Sequence, residues 1–437
     1  MHDLSRQHRR WRVSIRLAYV GVLLLATLTP FGFDAALGDV AARLTRALHP
    51  TLVPSDAVDA VRNVALFAGW GMVWMVTAPA TNVWASFRTA IMTGAGISLT
   101  VESLQLWSVL RRASVIDVVT NTAGSAVGAL VLLSLVLVIR SRRRTQSFVG
   151  IPALVFAGSY ATAAFAEAFV PLFRQTAFPN VYGGPLGRFR VALELFDPGS
   201  ILPIPMGDLV LFLPVGAYAV AALVETGLSY AKAGRRVSLA GLALFLLAEV
   251  GHGFLGQPIQ VGPLVAHGLG TALGAWAAVL WLPGLTRELR GARRPLGLLI
   301  VHALILCLWT WRPFVPQLDP HIISGSLFDR WWVPLASLGQ RMDVFSVVDV
   351  AVGFFLYLPV GALLAVWPIT TKGAFRTFLP GIYLATFTEL SQLFIAGRHM
   401  DITDFLIQGA GVVVGWIVIR RAGFHPYGSV MRQGGRT

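Results

Sequence analysis

Apolar runs of about 18 to 22 residues recur along this chain, and each is long enough to cross roughly 30 Å of hydrocarbon as a helix. Twelve are read, at 15–33, 61–77, 88–109, 116–139, 148–170, 207–225, 238–256, 263–284, 296–312, 348–367, 375–395 and 402–419. Twelve spans use roughly 240 residues and leave room for little beyond short loops. Composition agrees, because 55% of the 437 residues are apolar and only 13% are charged, where a soluble domain carries about 25% charge. A typical cytosolic enzyme is thereby excluded. The single cysteine, Cys307, lies inside an apolar run, which excludes a disulfide framework or a CxxC metal site. The charged start HDLSRQHRRWR precedes a run with no small-residue cleavage site after it, so that run is expected to be a retained helix.

Lys and Arg outnumber Asp and Glu by 35 to 21. Their placement, rather than a nucleic-acid partner, explains the excess. With both termini in the cytoplasm, the clusters RSRRR at 140–144 and RELRGARR at 287–294 fall inside, with Lys232, Arg235 and Arg236. That is the positive-inside pattern, and those clusters are expected to lie against anionic headgroups of the bilayer.

Internal repetition organises the chain further. DLVLFLPVGAYAVAAL from Asp208 matches GFFLYLPVGALLAVW from Gly353, placing Phe212, Pro214 and Gly216 on Tyr357, Pro359 and Gly361. NVALFAGWGMVW from Asn63 matches more loosely, through Phe67 and Gly71. Each stretch is followed by a glutamate inside an apolar run, Glu102, Glu249 or Glu389, and then by a GxxxG pair: Gly124 and Gly128, Gly270 and Gly274, Gly411 and Gly415. Small residues four apart let helix backbones approach in lipid. The expected fold is an all-α polytopic membrane protein of about twelve helices in three parallel four-helix units, 1–147, 148–295 and 296–437, the last ending in a short basic tail.

The hairpins between the third and fourth helices carry the polar residues. In the third unit Glu389 and Gln392 share one helix face, Asp401, Asp404 and Gln408 follow on the returning helix, and Arg398 lies on the turn. The first unit repeats this with Glu102, Gln105, Arg111 or Arg112, Asp117 and Asn121, and the glutamate-to-aspartate interval is 15 residues in both. The second has Glu249, His252, Gln257, Pro263 and His267, lacking the arginine and the aspartate. Two readings of Arg398 follow. As counter-ion of Glu389 and Asp404 it staples the hairpin, with the aspartates capping the last helix; as a planar cation at the outer face it holds a phosphate or carboxylate. His252 and His267 read as hydrogen-bonding replacements, because no ligand-like spacing accompanies them. Glu167, alone among small residues, reads as snorkelling toward the surface. No cofactor or metal is expected.

With LFLPVG, an intramembrane ExxQLF and then GRxxDxxD before GxxxG, the sequence resembles the VanZ-like family, most closely in its third unit through Pro359, Gly361, Glu389, Gln392, Gly397, Arg398, Asp401, Asp404, Gly411 and Gly415. Gln408 stands where that family usually has asparagine, which the first unit supplies as Asn121. The steps Pro30-Phe31 and Pro313-Phe314 also look like the family's. The resemblance implies a protein of the bacterial cytoplasmic membrane related to the cell envelope, to exopolysaccharide or to glycopeptide (teicoplanin) tolerance, without supplying a mechanism. Three function classes follow: a binder of a lipid-linked glycan or acidic amphiphile at the outer face, a membrane-embedded enzyme using Glu389 and Asp404 as acid and base, and a secondary transporter. Neither the identity of the ligand nor the oligomeric state follows from the sequence.

Overall fold

The computed structural model describes residues 2–28, 32–33, 36–49, 54–78, 83–141, 151–169, 184–196, 205–254, 256–288, 293–328, 344–367 and 374–424. Pro30 and Phe31, most of the 140–147 segment, 289–292, much of the loops 173–206 and 315–347, and the basic tail lie outside the described residues. Among those described, the chain forms fifteen helices and no strand beyond two isolated bridges. They are α1 His2–Leu28, α2 Leu37–Leu48, α3 Pro54–Thr77, α4 Val83–Gln105, α5 Val115–Ser141, α6 Leu154–Phe169, α7 Gly184–Glu194, α8 Met206–Val224, α9 Tyr230–Phe254, α10 Val261–Glu288, α11 Arg293–Thr310, α12 Pro320–Phe328, α13 Val344–Val366, α14 Ala374–Gln392 and α15 Ile402–Arg421.

Every apolar run of the sequence reading overlaps a helix over most of its length. Among the described residues, six helices are long and apolar enough to cross a membrane: α5, α8, α9, α10, α13 and α15. Their outward faces are apolar too, as at Leu247, 68% exposed on α9, and Trp281, 73% exposed on α10. Side chains of that kind on the outside of a bundle belong in lipid. Three short helices, α2, α7 and α12, occupy segments that the sequence reading left as loops. With nine to twelve residues each, they are too short to register as apolar spans.

The described chain falls into two compact units, Met1–Val138 with Leu338–Val347, and Ile139–Ser337 with Val348–Thr437. In the first, Leu23, Phe67 and Trp70 form a small buried core between α1 and α3. In the second, one core joins Tyr160, Leu211, Phe212, Phe245, Leu306, Trp309, Tyr357 and Val412.

Glycine sets the spacing of the helices. A methyl group on Gly124 or Gly128 of α5 would strike the carbonyl of Val64 or Ala68 on α3. Gly270 and Gly274 of α10 lie in the same way against Leu209 and Leu213 of α8, and Gly411 and Gly415 of α15 against Phe354 and Leu358 of α13. The approach is mutual, because Gly71, Gly216 and Gly361 rest against the carbonyls of Ser125, Thr271 and Val412. The remaining helix closes on those same three residues, with Gly94, Gly241 and Gly381 facing their side chains. Eight residues separate each of these last glycines from Glu102, Glu249 or Glu389. The GxxxG pairs are therefore sites of backbone contact, as small residues in membrane helices allow.

A second contact recurs at matching positions. Tyr19 Oη on α1 donates to the Leu66 carbonyl of α3 at 2.8 Å, and Tyr160 Oη on α6 to the Leu211 carbonyl of α8 at 3.0 Å. His302 Nε2 on α11 lies 2.8 Å from the Leu356 carbonyl of α13, and its Nδ1 2.9 Å from Tyr218 Oη. Since a carbonyl can only accept, Nε2 carries the proton and Nδ1 accepts from the tyrosine. The three carbonyls lie three residues before Gly69, Pro214 and Pro359. At Pro214 and Pro359 the missing proline N–H interrupts the helix ladder locally, one residue away from the carbonyl that accepts from the neighbouring helix. Gly69 is open for a different reason: a side chain there would occupy the position of the Tyr19 hydroxyl.

Glycine-mediated contact makes a direct prediction. Gly415→Val is expected to destabilise the protein by about 2 kcal/mol or more through overpacking, and Gly128→Val and Gly274→Val are expected to behave alike. Gly409→Ala, on open space in α15, is expected to stay within about 0.5 kcal/mol of wild type. Thermal unfolding of the detergent-solubilised variants measures both.

Candidate functional site

The three buried glutamates perform one local task. Glu102 Oε2 accepts from the Ser114 backbone N–H at 2.9 Å, Glu249 Oε2 from Gln260 N–H at 3.0 Å, and Glu389 Oε2 from Asp401 N–H at 3.4 Å. Ser114, Gln260 and Asp401 each stand immediately before the first residue of α5, α10 or α15. The leading N–H groups of a helix have no partner within it, and a carboxylate there also meets the positive end of the helix dipole. Each glutamate thus ties the end of one helix to the start of the next. The tie is completed locally by the capping residue, since Asp401 Oδ1 accepts from Thr403 N–H at 2.7 Å and Ser114 Oγ from Ile116 N–H at 3.1 Å.

In the third hairpin Glu389 is 3% exposed. Its Oε1 accepts from the amides of Gln392, at 3.4 Å, and of Gln408, in a short contact. Gln408 must therefore turn its NH₂ toward the carboxylate, which leaves its Oε1 buried with no hydrogen-bond partner among the described residues. Beside them the buried Tyr357 and Thr388 hydroxyls bond one another. Glu389, Gln392, Asp401 and Gln408 are thus brought together, as the sequence spacing implies.

Arg398 is not part of that cluster. Its Nε donates to the Arg312 carbonyl at 2.9 Å, and among the described residues no carboxylate lies within ion-pair distance of it. Burial first, and the neighbouring positive charge of Arg312 second, push the Arg398 pKa below its ordinary value, while Glu167, Asp349 and Asp404 pull it the other way. Glu167 is the partner of Arg312, Oε1 to Nη2 at 2.7 Å. Neither Arg312 nor this pairing is visible in the sequence, where the two residues are 145 positions apart.

In the first hairpin the candidates separate onto different partners. Gln105 Nε2 donates to the Thr27 carbonyl at 3.0 Å, Asn121 Nδ2 to Ser98 Oγ at 2.9 Å, and Asn63 Nδ2 to Asp117 Oδ1 at 2.9 Å. The Asn121 Oδ1 is buried and has no partner among the described residues, matching Gln408 at the equivalent place. Arg112 is exposed on the turn, and Arg111 is half-buried with its N–H on Ser108 Oγ. In the second hairpin His252 Nδ1 lies 3.3 Å from Glu249 Oε2, and His267 Nε2 3.6 Å from Asp208 Oδ2. No group of three or more His, Cys, Asp or Glu suited to a metal occurs among the described residues.

Arg398→Ala and Glu389→Gln are accordingly expected to destabilise independently. Their coupling in a double-mutant cycle should stay below about 0.5 kcal/mol, whereas an ion pair would make Glu389→Gln recover part of the Arg398→Ala loss.

Comparison with known proteins gives one family. The VanZ/LLP1 family model matches residues 6–140 and again 298–423, which together make up more than half of the chain. No curated protein and no solved structure matches. The two matched segments contain the hairpins of Glu102 and of Glu389, the ones with an arginine on the turn and an aspartate on the returning helix. With those segments and its long apolar helices, the chain is a multi-pass membrane protein that belongs to the VanZ-like family.

Proposed function

We propose that this protein is a binding protein of the bacterial cytoplasmic membrane that holds a lipid-linked glycan or similar acidic amphiphile at the outer ends of its hairpins. The observation that carries the reading is the division of labour at the third hairpin. Glu389 is buried and engaged by amides and a backbone N–H, while Arg398 lies beside a second arginine with no ion-pair partner among the described residues. A guanidinium in that state suits a phosphate or carboxylate.

The acid–base reading is weaker, because a catalytic carboxylate must reach substrate and water, and Glu389 is only 3% exposed. A transport reading calls for ionisable groups near the middle of the membrane, whereas Glu102, Glu249 and Glu389 stand within a turn or two of helix ends. The reading includes twelve spans in three parallel units, both termini in the cytoplasm, and hairpin turns facing outward. The recurring glycine contacts and glutamate ties, at offsets equal to within one residue in three places, support the triplication. The described order of one long helix, one short helix and three long helices, also met three times, agrees with it. Relation to the envelope, to exopolysaccharide or to glycopeptide tolerance belongs to this proposal.

Two measurements test it. Single cysteines placed in a Cys307→Ala background at 140–147 and 285–295 should label only from the cytoplasm, and those at 173–206 and 315–347 only from outside; the opposite result for either pair overturns the topology. Mass spectrometry of lipids co-purified with the wild-type protein should find an acidic amphiphile enriched over bulk membrane lipid, and the enrichment should vanish when Arg111, Arg112 and Arg398 are all replaced by alanine. Lipids in bulk proportion would overturn the binding reading.

A further inference from the structure

Helix α2 follows α1, precedes α3 and lies beside the turn between α4 and α5. It has three unlike flanks. Val40, Arg43 and Ala47, three and four residues apart, share one face; Ala47 is buried, and Val40 and Arg43 are half-buried. Arg43 ties that face to the turn, its Nη1 donating to the Ser108 carbonyl. Leu44 and Leu48, four apart, form the second flank and are 47% and 56% exposed. Arg46 lies two residues from each leucine, roughly 160° around the helix, and Asp39, two turns before Arg46, shares its side. Both charged residues are exposed. The helix therefore opens one flank that water disfavours and an opposite flank that requires water. With 12 residues it is about 18 Å long, too short to cross hydrocarbon. Placed wholly in water it would leave both leucines wet, and placed wholly in hydrocarbon it would bury two charges. The boundary between the two satisfies both flanks.

The elements that α2 touches stand at the same boundary. On the turn, the Val109 N–H donates to the Gly32 carbonyl at 2.9 Å, four residues past the end of α1. Trp107, Val109 and Leu110 of that turn are exposed, and exposed apolar side chains continue onto the start of α5 at Val115 and Val119. Helix α5 is long and apolar enough to cross a membrane, and tryptophan concentrates where hydrocarbon meets headgroups. The third hairpin repeats the tie: its Ala396 N–H donates to the Val315 carbonyl and Gln317 N–H to the Phe394 carbonyl, both at 2.8 Å. Phe314, Val315 and Phe394 are exposed there.

We propose that α2 lies in the plane of the bilayer, with Leu44 and Leu48 sunk into the boundary of headgroups and acyl chains and Asp39 and Arg46 in water, and that through Arg43 it fixes the turn between α4 and α5 at that depth. The occupant of the leucine flank is membrane lipid. Lipid is favoured over a second copy of the chain because exposed apolar surface does not end at α2: it includes the turn that α2 holds and the first turns of α5. The choice of leaflet rests on the topology proposed above, which places the turn outside; the in-plane position does not.

The test uses the full chain with Cys307→Ala, carrying Ala42→Cys, Leu44→Cys, Arg46→Cys or Leu48→Cys one at a time, spin-labelled and reconstituted into vesicles of phosphatidylcholine and phosphatidylglycerol. Collision of the label with oxygen, which gathers in hydrocarbon, is compared with collision with a water-soluble nickel chelate. Labels at 44 and 48 should favour oxygen and lie about 5–10 Å below the phosphates, while labels at 42 and 46 should favour the chelate. All four positions are exposed, so the substitutions leave the packed face intact. Labels at 44 and 48 that favour the chelate place the helix in water and overturn the proposal. Labels there that are shielded from both reagents show a protein contact, with a second copy or another part of the chain, and also overturn it. Adding Arg43→Ala should increase the mobility of a label introduced by Leu110→Cys; an unchanged spectrum overturns the role of α2 in fixing the turn. An impermeant thiol reagent separates this inference from the topology. Arg46→Cys should react in intact cells, and reaction only after permeabilisation would overturn the outward-facing turn while the depth pattern stands.

Discussion

The first backbone N–H groups of a helix have no partner within it, and one that is buried without a partner costs free energy. This chain meets that constraint three times with a glutamate from the helix before: Glu102 on Ser114, Glu249 on Gln260 and Glu389 on Asp401. Much of the architecture follows from it. The carboxylate must be buried to reach the helix start, the hairpin must be short enough to bring that start within reach, and the two helices must lie close. Closeness is supplied by Gly94, Gly241 and Gly381 facing Ser125, Thr271 and Val412. Buried polar side chains need partners too, and Tyr19, Tyr160 and His302, three side chains of two types, each donate to a leucine carbonyl on the neighbouring helix.

This has a consequence for chemistry. A carboxylate engaged with a helix start, and at Glu389 with two amides as well, is poorly placed to exchange protons with a substrate. The arginine that shares its hairpin takes no part in that contact. Arg398 anchors through one nitrogen to the Arg312 carbonyl, and the Arg312 side chain in turn is held by Glu167 and Trp309. Glu389 therefore holds the hairpin, while the two arginines are engaged with backbone carbonyls, Glu167 and Trp309.

Much of this was legible in the sequence, and the missing part has a common cause. Apolar runs gave the positions of the long helices, because their length and composition are local properties. The GxxxG pairs marked where helix backbones touch, because small residues four apart permit that approach. Spacing also placed Glu389, Gln392 and Gln408 on facing helix surfaces. It did not name the glutamate's partners, since a backbone N–H is the same at every residue and leaves no trace in composition. Arg398 looked like a counter-ion because opposite charges in one hairpin invite pairing; the structure gives it a carbonyl from another helix instead. Glu167 read as snorkelling because its partner Arg312 is distant in sequence. The donors on α1, α6 and α11 escaped notice because Tyr19 and His302 are unlike in type, although they stand at one distance, eleven residues, before Pro30 and Pro313.

Amide hydrogen exchange at Ser114, Gln260 and Asp401, resolved residue by residue in the wild-type protein and in Glu102→Ala, Glu249→Ala and Glu389→Ala, tests the central claim most directly. Each substitution should release the one amide its own glutamate accepts from and leave the other two protected. Exchange that stays slow at Asp401 in Glu389→Ala, or that rises equally at all three amides in any single variant, would contradict the account.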